Sequence, residues 1–187
     1  MRLDPRSPFV VNTHELGRRP GTMRTRELSA PAPGDLGIKV LGVPEGSLVE
    51  IDLRLESVME GVLATGRAWV QLEGECSRCL ERIEDDLEVE FQELYVYPES
   101  DAEPDEASRL DGEWLDLEPA IRDAVVLALP FQPVCEPGCQ GLCLDCGVRL
   151  SDHPGHAHDE DVDPRWAALS ALKTSDTGVS VGQDEEK

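Results

Sequence analysis

The sequence predicts an α+β fold, in which a small antiparallel β-sheet of meander topology packs against a helix. Three observations support this prediction. Two segments alternate apolar and charged residues, one segment has apolar residues at helical spacing, and the connections between the strands are short. A period of two is typical of a strand with one face in water, and a period of 3.6 is typical of an amphipathic helix. Sequential strands with short connections favour antiparallel pairing.

The central strands are predicted from residue 48 onward. Apolar and charged residues alternate in "LVEIDLRLE" (residues 48–56) and again in "LEVEFQ" (residues 87–92). The segment "GVLATGRAWVQLEGEC" (residues 61–76) fits a partner strand between them. We therefore predict a three-stranded meander, with "CSRCLERIEDD" (residues 76–86) at the turn between its second and third strands.

Residues 1–47 are predicted to form a basic N-terminal arm with a first short strand. The strand is expected in "FVVNTHEL" (residues 9–16). The following "RRPGTMRTRELSAPAPGDLG" (residues 18–37) is rich in Pro, Gly and Ser and is predicted as a loop.

The charge of the chain is strongly asymmetric. It has 17 Lys+Arg against 39 Asp+Glu, a formal net charge of −22, yet residues 1–26 hold six arginines against two acids. An acidic body repels phosphate, so any contact with nucleic acid is expected at the basic arm. The candidate RNA-contact residues are Arg18, Arg19, Arg24 and Arg26. A solvated arm without a ligand is the simpler interpretation.

The second half of the sequence predicts a helix, a cysteine-rich segment and a short C-terminal helix. In "WLDLEPAIRDAVVLALPF" (residues 114–131) Asp116 can cap the helix start and Pro130 ends it. "DPRWAALSALK" (residues 163–173) has an N-cap and a proline at the first helical position. Residues 48–173 are thus predicted as one domain, with an acidic loop at 98–113 and a disordered acidic tail at 174–187.

The sequence predicts a cytoplasmic protein without a membrane segment. Its start lacks the apolar stretch of a secretory signal, and nowhere do 18 apolar residues follow one another. In a reducing compartment, paired cysteines are more often metal ligands or redox groups than structural disulfides.

The six cysteines predict a structural zinc site. Cys76 and Cys79 are separated by two residues, as are Cys143 and Cys146. A turn of this spacing can direct both sulfurs at one ion, and Gly147 can supply the positive φ that such a turn needs. Two such turns facing each other form the tetrahedral four-sulfur site that zinc favours, so Cys76, Cys79, Cys143 and Cys146 are the favoured ligands.

Cys135 and Cys139 leave the allocation of ligands open. With Cys143 and Cys146 they form C-x3-C-x3-C-x2-C, which could close a local site. They could instead join Cys76 and Cys79, or take part in a site that exchanges ligands. Reserve ligands are available in a polar loop, namely His153, His156 and His158.

Other chemistries have little support in the sequence. The CxxC pairs do not start a helix within a βαβ unit, as a thioredoxin-like redox pair would, and their spacing matches neither common ferredoxin pattern. The sequence contains no phosphate-binding glycine loop, no G-x-S-x-G and no H-E-x-x-H. We therefore expect neither enzymatic activity nor a small-molecule substrate.

The order of these motifs resembles the YceD-like family of bacteria. "CSRCLE" after a strand, an acidic gap, "DLEPAIRDAVVLALPFQPVC", "CQGLCLDCG" and "DPRWAALSALK" carry the resemblance, from about residue 9 to residue 173. It implies a ribosome-biogenesis factor that supports the synthesis, processing or stability of 23S rRNA. The implied partners are that RNA, large-subunit ribosomal proteins or both. The alternative is a zinc-stabilised protein-interaction adaptor unrelated to ribosomes.

Overall fold

The computed structural model describes residues 3–101, 107–158 and Arg165. Within these residues the protein is mostly antiparallel β-sheet with one α-helix. The strands are β1 (Val10–Asn12), β2 (Met23–Pro31), β3 (Leu36–Ile38), β4 (Leu41–Val43), β5 (Leu48–Ser57), β6 (Gly61–Glu75), β7 (Arg82–Val96), β8 (Ser108–Arg109) and β9 (Trp114–Asp116), and the helix is α1 (Glu118–Ala128).

The predicted meander is confirmed as the centre of the main sheet. β6 pairs antiparallel with β5 on one side and with β7 on the other. Beyond β5 the sheet ends at the edge strand β2. The C-terminal end of β6 also pairs with β4, and β4 pairs with β3. Short β8 joins β7 in parallel, while β1 and β9 form a separate two-stranded sheet.

One face of the meander forms the main apolar core, as the alternation predicts. Along β5 every second residue from Val49 to Leu55 is buried, while the charged residues between them are exposed. The register places Leu53 beside Gly66 and Gly66 beside Phe91 on this face. α1 contributes Ile121 and Val125 to the same core.

The segment of residues 18–37 differs from the loop predicted for it. Residues 23–31 form β2, which pairs with β5 over its whole length. Arg24 and Arg26 thus lie on an edge strand of the sheet, and the turn before it is held by the Gly21 N–H, which donates to the Ser57 carbonyl at 2.8 Å. The difference arises because β2 is an edge strand with few apolar residues, flanked by the prolines and glycines that indicate loops.

The helix begins close to its predicted start. Pro119 lies in its first turn, and the Asp116 carboxylate accepts a hydrogen bond from the Glu118 N–H at 3.0 Å. The helix ends at Ala128, before Pro130, so the chain then turns toward the cysteines.

Several predicted features lie outside the described residues. They are the C-terminal helix at 163–173, except Arg165, the tail at 174–187, and residues 102–106 of the acidic loop. Across the part of the chain that is described, no helix is both long and apolar enough to cross a membrane.

Candidate metal centre

The turn between β6 and β7 forms the first half of a cysteine site. The Cys76 N–H donates to the Glu81 carbonyl at 2.7 Å, and the Leu80 N–H donates to the Cys76 carbonyl at 3.0 Å. Leu80 has a φ of 60°, in the left-handed region. This tight knuckle turns both Cys76 and Cys79 toward the interior, where they are 0% and 5% exposed.

The second half of this site comes from the segment that follows α1. The Ser77 N–H donates to the Pro133 carbonyl at 2.8 Å, which aligns this segment with the knuckle. Cys139 Sγ then lies 3.7 Å from Cys76 Sγ, and Cys135 Sγ lies 3.5 Å from Cys79 Sγ. All four sulfurs are within 4.8 Å of one another, and we call this group the four-sulfur cluster.

The spacing of the four-sulfur cluster fits a tetrahedral metal. Zinc–sulfur bonds of about 2.3 Å in a tetrahedron place neighbouring sulfurs about 3.8 Å apart. The closest sulfur pairs, at 3.5 and 3.7 Å, are near that spacing, and none of the six cysteines forms a disulfide. The donor set and its dimensions therefore fit zinc.

The thiols of this cluster differ in acidity because their surroundings differ. Burial raises the pKa of Cys76, but backbone N–H groups of Cys79, Cys135 and Arg78 outweigh it and lower the pKa to about 6. The pKa of Cys135 is raised to about 12, first by its hydrogen bond with the Cys79 thiol and then by desolvation. One sulfur is thus poised as a thiolate at neutral pH, the form that binds metal.

Arg78 connects the two halves of the four-sulfur cluster. Its guanidinium donates to the Cys139 carbonyl at 3.0 Å, and its backbone N–H donates to Cys76 Sγ at 3.4 Å. Its own carbonyl accepts from the Leu142 N–H at 3.1 Å. Arg78 therefore hydrogen-bonds to Cys76 of the first knuckle, to Cys139 of the opposite half and to Leu142 in the segment that follows.

A second group of ligand atoms lies further along the chain. Cys146 Sγ is 3.3 Å from His156 Nε2 and 3.2 Å from His158 Nε2, and the two Nε2 atoms are 2.9 Å apart. With Cys143 Sγ, all four atoms lie within 4.8 Å of one another. We call this group the sulfur–imidazole cluster. Cys146 and His158 are exposed, and Cys143 and His156 are half-buried.

The sulfur–imidazole cluster is built on a knuckle like the first. The Gly147 N–H donates to the Cys143 carbonyl at 2.9 Å, and Gly147 has the positive φ predicted for it, 73°. Backbone N–H groups of Cys146 and Asp145 lower the pKa of Cys143 to about 6, against the effect of burial. The loop docks on the first knuckle through an ion pair between Arg149 and Glu81.

The structure brings the predicted ligands together in a combination other than the favoured one. Cys76 and Cys79 converge with Cys135 and Cys139, an allocation that the sequence favours less. Cys143 and Cys146 converge with histidines. The favoured set of four ligands pairs the two CxxC turns because their spacing is the same. In the fold, however, the chain that leaves α1 first reaches the β6–β7 knuckle at Pro133, so the nearer cysteines complete that cluster.

The sequence indicates the histidines of the polar loop only as reserve ligands. His156 and His158 join the second cluster, whereas His153 does not. The alternate spacing of His156 and His158, ten and twelve residues after Cys146, is the signal that could have identified them.

The four candidate RNA-contact arginines are spread over the arm and β2. Arg18 lies over the Tyr97 ring, 4.6 Å from its centroid, and pairs with Glu99 at 3.3 Å. Arg26 pairs with Glu15 at 3.6 Å. Arg24 is exposed on β2, and Arg19 lies in the turn before it. Two of the four guanidinium groups therefore already face a carboxylate.

Both clusters fall within a region shared with known proteins. The family profile described as "Large ribosomal RNA subunit accumulation protein YceD" matches residues 64–173, more than half of the chain and all six cysteines. The chain belongs to the YceD family. The resemblance predicted from the motifs is thereby confirmed.

Relatives of this YceD-family chain are found in bacteria and in plants. An uncharacterized protein of Mycobacterium tuberculosis is 46% identical over 167 residues, which are 87% of this chain and 80% of that protein. One from Mycobacterium leprae is 37% identical over 174 residues, 91% of this chain and 80% of the relative.

A more distant similarity links the chain to a plant protein of stated role. The chloroplastic "Large ribosomal RNA subunit accumulation protein YCED homolog 1" of Zea mays is 30% identical over 66 residues, 35% of this chain and 19% of that protein. No solved structure is significantly similar to this chain. Membership of the family thus suggests a ribosome-related role.

Proposed function

We propose that the protein is a non-enzymatic ribosome-biogenesis factor that supports the synthesis, processing or stability of 23S rRNA in the cytoplasm. The observation that carries this proposal is the match to the YceD family over residues 64–173. The family is named for accumulation of the large ribosomal RNA subunit, and a relative in Zea mays is named as a homolog of the same protein.

The proposed cofactor is a structural zinc in the four-sulfur cluster. Four thiolates close the coordination sphere of zinc and leave no position for a reactive water. The cluster also joins the β6–β7 knuckle to the segment after α1, and three of its four cysteines are buried. A metal in this place holds two distant parts of the chain together, which is a structural role. The absence of an open coordination position is consistent with a non-enzymatic factor.

The charge distribution supports a basic large-subunit ribosomal protein as the direct partner. In this route the protein holds its partner until the partner is delivered to the RNA. The formal net charge of −22 complements a basic protein and repels RNA. Two of the four candidate arginines, Arg18 and Arg26, already pair with carboxylates. Each of these ion pairs would have to break before the arginine could bind a phosphate. Direct RNA binding through Arg18, Arg19, Arg24 and Arg26 remains the competing route.

Salt dependence separates these two routes. Each arginine that contacts a phosphate contributes about 0.7 to 0.9 to the slope of log K against log salt concentration. If RNA is bound directly, replacing the four arginines with alanine lowers affinity for purified 23S rRNA and flattens that slope. If a ribosomal protein is the partner, the variant binds RNA as weakly as the wild type and still binds the large-subunit protein fraction.

A deletion strain tests the proposed function itself. We expect a lower ratio of large to small ribosomal subunits and less mature 23S rRNA, both restored by the wild-type gene. A gene with Cys76→Ser and Cys79→Ser should fail to restore them, and the surface variant Arg82→Ala is the matched control. A normal subunit ratio in the deletion strain would overturn the proposal and would favour an adaptor unrelated to ribosomes.

A further inference from the structure

The contacts within the sulfur–imidazole cluster exceed what hydrogen bonding can explain. Cys146 Sγ, His156 Nε2 and His158 Nε2 form a triangle with sides of 3.3, 3.2 and 2.9 Å. An imidazole nitrogen either carries one proton or offers one lone pair, so it takes part in only one good hydrogen bond. The three short contacts therefore cannot all be hydrogen bonds. A cation at the centre would accept a lone pair from every corner.

The orientation of the two imidazole rings agrees with a common central ion. The rings of His156 and His158 are nearly perpendicular, at 83°, with their centroids 4.6 Å apart. The lone pair of Nε2 lies in the ring plane, so perpendicular rings can approach one point from two directions of a tetrahedron. The Cys143 and Cys146 sulfurs supply the remaining two directions.

The donor set of this cluster selects the metal. Two thiolates and two imidazoles in a tetrahedral arrangement are typical of zinc, whereas calcium and magnesium require oxygen ligands. Zinc would place these ligand atoms about 3.3 to 3.8 Å apart, so they need to separate by only a few tenths of an ångström. Two thiolates also neutralise the charge of the ion, so the site carries no net charge.

We propose that Cys143, Cys146, His156 and His158 bind a second zinc ion, which exchanges more readily than the ion of the four-sulfur cluster. The difference in exchange follows from position. Cys146 and His158 are exposed, whereas Cys76, Cys79 and Cys139 are buried. All ligands of the second ion come from one local segment, residues 143–158, so the segment can open while the sheet stays folded.

Metal analysis of the full-length protein tests the stoichiometry. After saturation with zinc and removal of excess metal, we expect two zinc ions per wild-type chain by native mass spectrometry. The double variant His156→Asn, His158→Asn should retain one. The matched control is His153→Asn, which changes a histidine of the same loop outside the cluster and should retain two. Cys143→Ser, Cys146→Ser provides a second variant that should retain one.

X-ray absorption at the zinc edge identifies the ligands. Four sulfurs at one ion, with two sulfurs and two nitrogens at the other, average to three sulfurs and one nitrogen per zinc in the wild type. The His156→Asn, His158→Asn variant should show four sulfurs per zinc. Retention of the wild-type circular dichroism spectrum in that variant separates loss of the ion from loss of the fold.

Competition with a colorimetric chelator tests the exchange. The wild type should release its zinc in two phases of equal amplitude, and the faster phase should be missing from the histidine double variant. One zinc in the wild type, or two in the double variant, would overturn the second site. Release of both ions in a single phase would overturn the unequal exchange. None of these three results affects the proposed role in rRNA accumulation, and one zinc retained by the histidine double variant would still support the ion proposed for the four-sulfur cluster.

Discussion

Leu80 and Gly147 occupy equivalent positions in two knuckles of the same geometry. Each directly follows the second cysteine of a CxxC pair, and each donates its N–H to the carbonyl of the first cysteine, at 3.0 and 2.9 Å. Both residues have a left-handed φ, 60° for Leu80 and 73° for Gly147. Glycine adopts this conformation without penalty, while a leucine held there is strained by about 1–2 kcal/mol.

Replacing Leu80 with glycine should therefore stabilise the protein. The side chain is 61% exposed, so its removal loses little apolar burial. Relief of backbone strain outweighs the greater entropy of glycine in the unfolded chain, and we expect a gain of about 0.5–1 kcal/mol in the free energy of unfolding. Urea denaturation of the zinc-loaded protein measures it.

Gly147→Ala is the matched control for this substitution. A Cβ at Gly147 meets nothing within 4 Å, so its effect isolates the backbone conformation. We expect a loss of about 1 kcal/mol, opposite in sign to the effect of Leu80→Gly. Equal losses in both variants would contradict the equivalence of the two knuckles.

Arg78 should stabilise the four-sulfur cluster through its hydrogen bond to the Cys139 carbonyl. Arg78→Ala removes a charged donor at 3.0 Å, and we expect a loss of about 1 kcal/mol in the free energy of unfolding, together with faster zinc release. Thermal denaturation and a chelator assay measure the two effects.

Arg82→Ala serves as the control for Arg78→Ala. Arg82 pairs with Glu73 and Glu84 on the exposed surface of the same hairpin, where ion pairs contribute little. The control should leave both zinc release and stability nearly unchanged. Identical behaviour of the two variants would show that Arg78 acts only as a surface charge.

The sequence predicts the central sheet well because its strands each have one buried face. The alternation in β5 and in the central part of β7 directly reflects that asymmetry, and it also fixes which residues face the core. β2 could not be predicted in this way. As an edge strand it has Arg24 and Arg26 where a central strand would have apolar residues. Its sequence therefore lacks the alternation of apolar and polar residues, although its backbone pairs with β5.

The cysteines and histidines of the two candidate clusters were predictable as residue types, but the sets that they form were not. Spacing of two residues between cysteines identifies the knuckles, because that geometry is local. Which knuckle meets Cys135 and Cys139 depends on where α1 ends and on the hydrogen bond between Ser77 and Pro133, which are properties of the whole fold. For the same reason His156 could be placed in a polar loop but not assigned to a cluster.

Gly66 is required in β6 because the Phe91 ring occupies the space where a side chain at residue 66 would lie. A Cβ at Gly66 would lie 2.5 Å from Phe91 Cζ and 2.8 Å from the Asp52 carbonyl oxygen. Gly66→Ala should cost about 1–3 kcal/mol, since the ring and the neighbouring strand must shift. Chemical denaturation measures this cost.

A double-mutant cycle identifies the cause. Phe91→Leu removes the distal part of the ring that a Cβ at Gly66 would meet. Combined with Gly66→Ala, it should cost less than the sum of the two single substitutions. Additive costs would place the conflict with the backbone of β5 rather than with the ring.

The stability of the metal-free protein should depend on pH between about 6 and 9. Without metal, backbone N–H groups outweigh burial and lower the pKa of Cys76 and of Cys143 to about 6, from a reference value of 9.0. A thiol whose folded pKa is depressed stabilises the folded state fully above the unfolded pKa. This contribution is lost as pH falls toward the folded pKa.

Cys135 does not oppose this trend within the same interval. Its pKa is raised to about 12 by the Cys79 thiol and by desolvation, so it lowers stability only when pH rises above 9, where the unfolded thiol ionises. We therefore expect the free energy of unfolding of the metal-free, reduced protein to rise from pH 6 to pH 9. Cys76→Ser should remove part of this slope, and Cys76→Ser with Cys143→Ser most of it. A slope that persists in the double variant would assign the pH dependence to groups outside the two knuckles.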